Sequence, residues 1–300
     1  MSNNKKDRVL ITGINGFTGV HLEEYLISKG FDVYGTVINT PLKSTHHQCD
    51  ITQADQVERV ILELKPDYLI HIAGISFPGE NNASLIYDVN VIGTENILRA
   101  LVKHSIHPKK VILASSATIY GNQGDEVLDE SMCPKPVNHY GCSKLAMEYM
   151  SANYFDTLDI IITRPFNYTG IGQEKHFLIP KIVSHYREGK KEIELGNLHV
   201  AREFNGIDYI VDTYHKLMIC EAKSITINLS SHNPIKLLDV IDMMNEIAGY
   251  PIKVSVNPLF VRENEIPSLS GSTDLLKTII EPDNRETLHK TLQTMYDAPL

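Results

Sequence analysis

The chain has 300 residues, 42% of them hydrophobic and 22% charged, with 18 glycines and 14 prolines dispersed along it. This is the make-up of an ordered globular protein large enough for one big α/β unit or two unequal lobes, and a formal net charge of −9 excludes a main affinity for nucleic-acid phosphates, which needs a basic face. Residues 1–8 hold no apolar signal core, no apolar run reaches the roughly 18 residues of a membrane span, and four scattered cysteines lack metal or disulfide spacing, so a cytoplasmic protein without a membrane, metal or nucleic-acid partner is expected.

In chain order, residues 9–12 form a short apolar run ended by glycine and residues 18–29 carry helical spacing, which predicts strand, turn and helix. The alternation continues with strand 32–37, helix 54–64, strand 68–72, helix 84–104, strand 111–115, helix 140–155 and strand 159–163. Strands of β-branched residues separated by such helices imply right-handed crossovers and a parallel sheet covered on both faces. The expected fold is α/β, with a Rossmann-type doubly wound parallel sheet as a dinucleotide-binding domain over residues 1–165. After Pro165 the rhythm changes to helix 177–188, strand 192–195, helix 207–221, strand 225–229, helix 235–248 and strand 252–256. Residues 166–300 are therefore expected to form a smaller C-terminal α/β substrate-binding lobe, with room for segments to return to the main sheet.

The first turn reads Thr12-Gly13-Ile14-Asn15-Gly16-Phe17-Thr18-Gly19 and opens a helix. Glycines there allow tight turning and close approach of backbone amides to a pyrophosphate at the positive end of the helix, which makes Gly13, Asn15, Gly16, Phe17, Thr18 and Gly19 candidate cofactor residues. Asp50 and Ile51, after the loop that follows the second strand, are placed beside the adenine. Ala73 and Gly74 offer small residues at a strand end, where such a sheet holds its ligand. The second strand ends in Thr36, Val37, Ile38 and Asn39 without a carboxylate for a ribose 2′-hydroxyl. NADP(H) is therefore expected over NAD(H), with Lys43, His46 and His47 as phosphate neighbours; the plain alternative for His46 and His47 is a solvated loop.

Tyr140 and Lys144 lie one helical turn apart and share a face. A nearby ammonium favours a phenolate, so Tyr140 is expected to act as a general acid or base of lowered pKa. Ser116, in the strand end Leu113-Ala114-Ser115-Ser116-Ala117-Thr118-Ile119-Tyr120, supplies a hydroxyl to hold the substrate oxygen against that phenol.

Together these residues resemble the extended short-chain dehydrogenase/reductase family over nearly the whole chain. The matching features are residues 12–19, Asp50, the helix segment Asn90-Val91-Ile92-Gly93-Thr94, the Ser116, Tyr140 and Lys144 triad, and Asn228-Leu229-Ser230-Ser231. The resemblance implies that Lys144 also binds the nicotinamide ribose, that Asn90 belongs to the cofactor site, and that the protein is a homodimer through helices 90–104 and 140–155. The second half is most similar to the branch that reduces GDP-4-keto-6-deoxy-D-mannose, through residues 164–173, Gly196-Asn197-Leu198, Arg202-Glu203-Phe204 and residues 261–267. That implies a nucleotide-sugar partner bound by Ser116, Asn167, Lys181, Asn197, Arg202 and Arg262, the arginines gripping phosphate oxygens with forked donors.

Three reactions share the scaffold. Dehydration needs an extra acid/base pair beside the tyrosine. The resemblance implies that dehydratases carry it as a Glu, preceded by Asp or Ser, two positions before the Tyr of a Tyr-Gly pair; this chain has Ala117 and Thr118 before Tyr120, so dehydration is disfavoured. Reduction of a nucleotide-linked 4-keto-6-deoxyhexose to a deoxysugar donor is the expected reaction. A 4-epimerase of nucleotide sugars is the alternative, and a catalytically inactive cofactor-binding protein a second one. Tyr168 and Ile171 depart from the reductases, which often have His and Pro there.

Overall fold

The computed structural model describes residues 6–76, 82–124, 127–261, 266–281 and 287–299. Arg262 lies outside the described residues.

The β-branched runs form a sheet buried on both faces. Strand β1 (Arg8–Thr12) is central, with Val9, Leu10 and Ile11 at most 2% exposed. Helix α1 (Phe17–Ser28) leads to β2 (Asp32–Val37) beside β1, and β3 (His46–Gln48) adds beyond it. Helix α2 (Ala54–Leu64) buries Val57, Val60, Ile61 and Leu64, the i, i+3, i+4, i+7 stripe of an amphipathic helix. It returns the chain to β4 (Tyr68–His71) on the other flank of β1. Helices α3 (Ala83–Tyr87) and α4 (Gly93–Lys103) precede β5 (Lys110–Ala114), and α5 (His139–Ala152) precedes β6 (Ile160–Pro165).

The rest alternates short strands and helices: β7 (Tyr168–Thr169), α6 (Leu178–Arg187), β8 (Glu192–Leu195), β9 (Ala201–Arg202), β10 (Asn205–Gly206), α7 (Ile207–Ile219) and β11 (Ile225–Leu229). Then come β12 (Ile235–Lys236), α8 (Leu237–Ala248), β13 (Lys253–Val256), β14 (Ser268–Leu269), α9 (Asp274–Ile279) and α10 (Leu288–Asp297). The main sheet has seven strands in the order β11-β6-β5-β4-β1-β2-β3, each pair parallel. Strand order reverses between β1 and β4, and the crevice beyond their carboxyl ends is where a doubly wound sheet binds its ligand.

On one sheet face α1 packs with α7 and α9, and on the other α2, α4 and α5 share a core. A separate core joins α6, α8 and α10 with β8. Glu203, 0% exposed, ties this lobe to the end of β11 by accepting from Ser230 Oγ (2.7 Å), Ser231 N (2.6 Å) and Gly271 N (2.8 Å).

Two local expectations are corrected. His46 and His47 sit in edge strand β3, opposite Gly35 and Thr36, rather than in a solvated loop. The helix expected over 84–104 is interrupted by a π-helical turn, Asp88–Ile92, whose extra residue rotates Asn90 into the interior at 1% exposure. No helix among the described residues is long and apolar enough to cross a membrane.

Candidate active site

The glycine turn is a hollow that side chains would fill. Gly13 has φ +70°, a Cβ there would lie 3.0 Å from Ala73 Cα, and one on Gly19 would lie 2.5 Å from the carbonyl oxygens of Gly13 and Ile14. Gly16 N donates to Gly13 O at 3.0 Å, and α1 starts with neither a side-chain cap nor an acidic residue in its first turn. A hollow floored by backbone at an uncapped helix start fits the pyrophosphate of a dinucleotide. Gly19→Ala should therefore weaken NAD binding at least tenfold in a fluorescence titration, because neither carbonyl can move without unwinding the turn.

Asn15 and Gly16 are exposed at this hollow, while Phe17 and Thr18 are half-buried. A second aromatic closes over them: Tyr168 Oη lies 2.8 Å from Thr18 Oγ1, and its ring stacks on Phe17 at 6.0 Å and 16°. Asp50 is partly engaged, its Oδ1 accepting from Thr52 N (2.9 Å) and Thr52 Oγ1 (2.8 Å), and the Ile51 carbonyl accepts from Asn96 at 2.9 Å. Ala73 N donates to Thr12 Oγ1 at 3.2 Å. A Cβ on Gly74 would sit 2.8 Å from Asn90 Oδ1 and 3.3 Å from Lys144 Nζ, so this strand end abuts the catalytic candidates. Asn90 spends its amide on protein, donating to Ile75 O (3.2 Å) and Ser143 Oγ (3.0 Å) and accepting from Ile75 N (2.9 Å).

Ser116 caps the short 3-10 turn Ala117–Tyr120, its Oγ accepting from Thr118 N (3.2 Å) and Thr118 Oγ1 (2.9 Å). Its own proton is left free to face the Tyr140 phenol, whose pKa Ser116 draws down. Asn138 caps α5 through Gly141 N (2.8 Å) and so fixes the turn carrying Tyr140 and Lys144, which are 8% and 6% exposed. Burial pushes the phenol up to about 12, with Ser116 pulling the other way and the Tyr168 phenol adding to the rise. Burial draws Lys144 down to about 8, opposed by the Glu148 carboxylate, and Lys144 Nζ donates to Ala114 O at 2.7 Å. The expected acidification of Tyr140 by Lys144 is thus corrected: burial raises the phenol, and the Lys144 ammonium is turned toward the Ala114 carbonyl.

The substrate candidates spread along the second lobe. Asn167 is exposed, and its carbonyl accepts from Asn205 N at 2.9 Å. Lys181 Nζ donates to Glu194 O at 2.8 Å and lies 4.3 Å over the Phe260 ring, and half-buried Asn197 follows Gly196, which packs against the Phe260 carbonyl. Arg202, 9% exposed, donates to the carbonyls of Ala201 (2.8 Å) and Ile266 (2.5 Å), so part of its fork is engaged by backbone. The structure thus gathers Ser116, Tyr140, Lys144 and Gly74 at the crevice and leaves Lys181 and Arg202 with backbone partners. The residues not singled out from sequence are Glu148 and Arg164, paired by two short bonds behind α5, and Tyr168 in its bridging role.

The fold and this constellation define a nicotinamide-dependent enzyme class. Residues 9–229 match the NAD dependent epimerase/dehydratase family, and the chain belongs to that family. It is 35% identical over 291 residues (96% of this chain, 97% of the relative) to the GDP-6-deoxy-D-talose 4-dehydrogenase of Aggregatibacter actinomycetemcomitans. It is 27% identical to the GDP-6-deoxy-D-mannose reductase of Pseudomonas aeruginosa, with 88% of each chain covered. Among solved structures, a "putative epimerase" from Burkholderia cenocepacia J2315 superposes with TM-score 0.91 at 40% identity, covering 97% of both chains.

The preference for NADP(H) is overturned. Five of the similar solved structures are complexes with NAD and one holds NADPH. The physical reason lies in α1: buried Glu23, 3% exposed, accepts from Lys43 Nζ (2.7 Å) and hydrogen-bonds His46 Nε2 (3.0 Å), so two of the side chains expected at a 2′-phosphate are already engaged.

Proposed function

We propose that the protein moves hydride between NAD and C4 of a nucleotide-linked hexose, a GDP-linked 6-deoxyhexose being the favoured substrate. The observation that carries this is the meeting of Ser116, Tyr140 and Lys144 beside Gly74 at the strand-order reversal. When bound, NAD supplies the hydride acceptor and donor. Ser116 and Tyr140 share the C4 oxygen; Tyr140 passes its phenolic proton to that oxygen during reduction and receives one during oxidation. Lys144 holds the ribose side of the pocket and keeps positive charge near the phenol. Asn167 and Arg202 orient the sugar diphosphate. The GDP-6-deoxy-D-talose 4-dehydrogenase similar to this chain supports C4 as the reacting carbon, and the GDP-6-deoxy-D-mannose reductase supports a GDP-linked 6-deoxyhexose.

Two net outcomes share this step. Net reduction, preferred from the sequence, is the less well supported, because epimerases recur among the similar proteins, including UDP-glucose 4-epimerase of Halalkalibacterium halodurans at 28% identity. In 4-epimerisation Tyr140 would take and return the same proton while the hexose turns its other face. Incubation with NAD or NADH and GDP-6-deoxyhexoses separates the outcomes: a stoichiometric change at about 340 nm marks net redox, and a C4 isomer formed without cofactor consumption marks epimerisation. Failure of every nucleotide sugar to react by either route would contradict the proposal.

The proton-donating direction has a defined pH dependence. Tyr140, held up to about 12, stays protonated throughout the neutral range, while Lys144, drawn down to about 8, loses its charge above that pH. The rate of keto-sugar reduction should be flat well below pH 8, fall to about half near pH 8 and keep falling above it, as read from initial rates in buffers of constant ionic strength.

A further inference from the structure

We propose that His71 is a positioning residue for the active site, clamped between Thr12 and Thr94 in a one-directional chain of hydrogen bonds that runs from the glycine turn to the backbone of Tyr140. His71 ends β4, is 2% exposed, and places Nδ1 2.6 Å from Thr12 Oγ1 and Nε2 2.8 Å from Thr94 Oγ1. Thr94 Oγ1 donates its only proton to Asn90 O at 2.8 Å, a carbonyl within the π-helical turn. It must therefore accept from His71, which fixes the ring as the Nε2–H tautomer. Nδ1 is then an acceptor and takes the Thr12 hydroxyl proton, while Thr12 Oγ1 receives Ala73 N–H at 3.2 Å.

Beyond Asn90 the sense of the chain is kept. Asn90 Nδ2 donates to Ser143 Oγ (3.0 Å), and Ser143 Oγ donates to Tyr140 O (2.8 Å). Each hydroxyl in the series gives one proton forward, and all of its members are buried, with Thr12, Thr94 and Asn90 at 2%, 1% and 1% exposure and Ser143 at 0%. No charged group interrupts it, and burial holds the imidazole down to about 3, with the Lys144 ammonium pushing the same way. In a site this dry a missing link leaves a buried donor or acceptor unpaired, so the chain sets one separation between the hollow at Gly13 and the catalytic turn of α5. That separation governs the distance between the strand end at Ala73 and Gly74 and the phenol of Tyr140.

This role rests on the assignment of Tyr140 and Lys144 as the reacting site. The test pairs Thr94→Val, which keeps shape and removes the hydroxyl, with Thr94→Ser, which restores it. With NAD and a GDP-linked 6-deoxyhexose, Thr94→Val should lower kcat about 10- to 100-fold while the sugar KM changes less than about twofold, and Thr94→Ser should recover kcat to within about threefold. Unchanged kcat in Thr94→Val, a loss confined to KM, or a loss that serine fails to restore would overturn the positioning role. Nitrogen-15 NMR of the unmodified protein reads the chain without substrate: His71 should remain the neutral Nε2–H tautomer between about pH 5 and 9, and an imidazolium or Nδ1–H signal would overturn it. Normal turnover by Tyr140→Phe would instead sink the site assignment, and the catalytic role of the chain with it, while leaving the tautomer as measured.

Discussion

Tyr140→Phe should bind NAD with unchanged affinity, melt no lower than the parent, and turn over about a thousandfold more slowly. The ring stays packed and only the hydroxyl is lost, so cofactor contacts at the glycine turn remain. Proton exchange with the C4 oxygen, a contribution of about 10²- to 10⁴-fold in well-placed acids and bases, disappears. Ser116 is left as the sole side-chain donor, which is why Ser116→Ala should cost less than the phenol. Stopped-flow single turnovers at about 340 nm check this; turnover within tenfold of the parent would show that the phenol is not the acid.

Arg164→Leu should destabilise the fold by about 3–5 kcal/mol, measured by urea unfolding. Arg164 Nε and Nη2 bond the two Glu148 carboxylate oxygens at 3.0 and 2.7 Å, and its Nη1 donates to Tyr120 Oη at 2.9 Å, all with side chains under 10% exposed. Tyr120 Oη in turn donates to Asn228 Oδ1 at 2.7 Å, so the guanidinium joins β6, α5, the Ser116 turn and β11. Without it Glu148 is a buried carboxylate stripped of its bidentate guanidinium, which is far costlier than replacing both partners by apolar groups. Pairing Arg164→Leu with Glu148→Leu should return more than half of the lost stability. Equal losses in the single and double variants would show that packing, not the stranded charge, sets the cost.

The sheet was legible because its strands are short β-branched runs spaced by helices, and the candidate grouping of Ser116, Tyr140 and Lys144 because they follow a glycine turn in chain order. The π-helical turn was not: helical periodicity runs without a break over residues 84–104, and one extra residue changes which face Asn90 presents without changing composition. Edge strand β3 has only three residues, two of them histidines, and gives no alternation to read. The cofactor preference failed for a tertiary reason. The missing carboxylate at the end of β2 is visible in sequence, but the claim of Glu23 on Lys43 and His46 comes from α1 and appears only when the helix packs on the sheet. The direction of the Tyr140 shift likewise depends on depth of burial and on where Lys144 Nζ points, neither of which spacing encodes.

Hydride transfer at C4 is tested most directly with a GDP-linked 6-deoxyhexose carrying deuterium at C4, incubated with the NAD-loaded protein and followed by mass spectrometry of the cofactor. Deuterium should arrive on the nicotinamide ring in the parent protein and not in Tyr140→Phe on the same time scale. Product formation from that sugar with deuterium never reaching the ring would contradict the account.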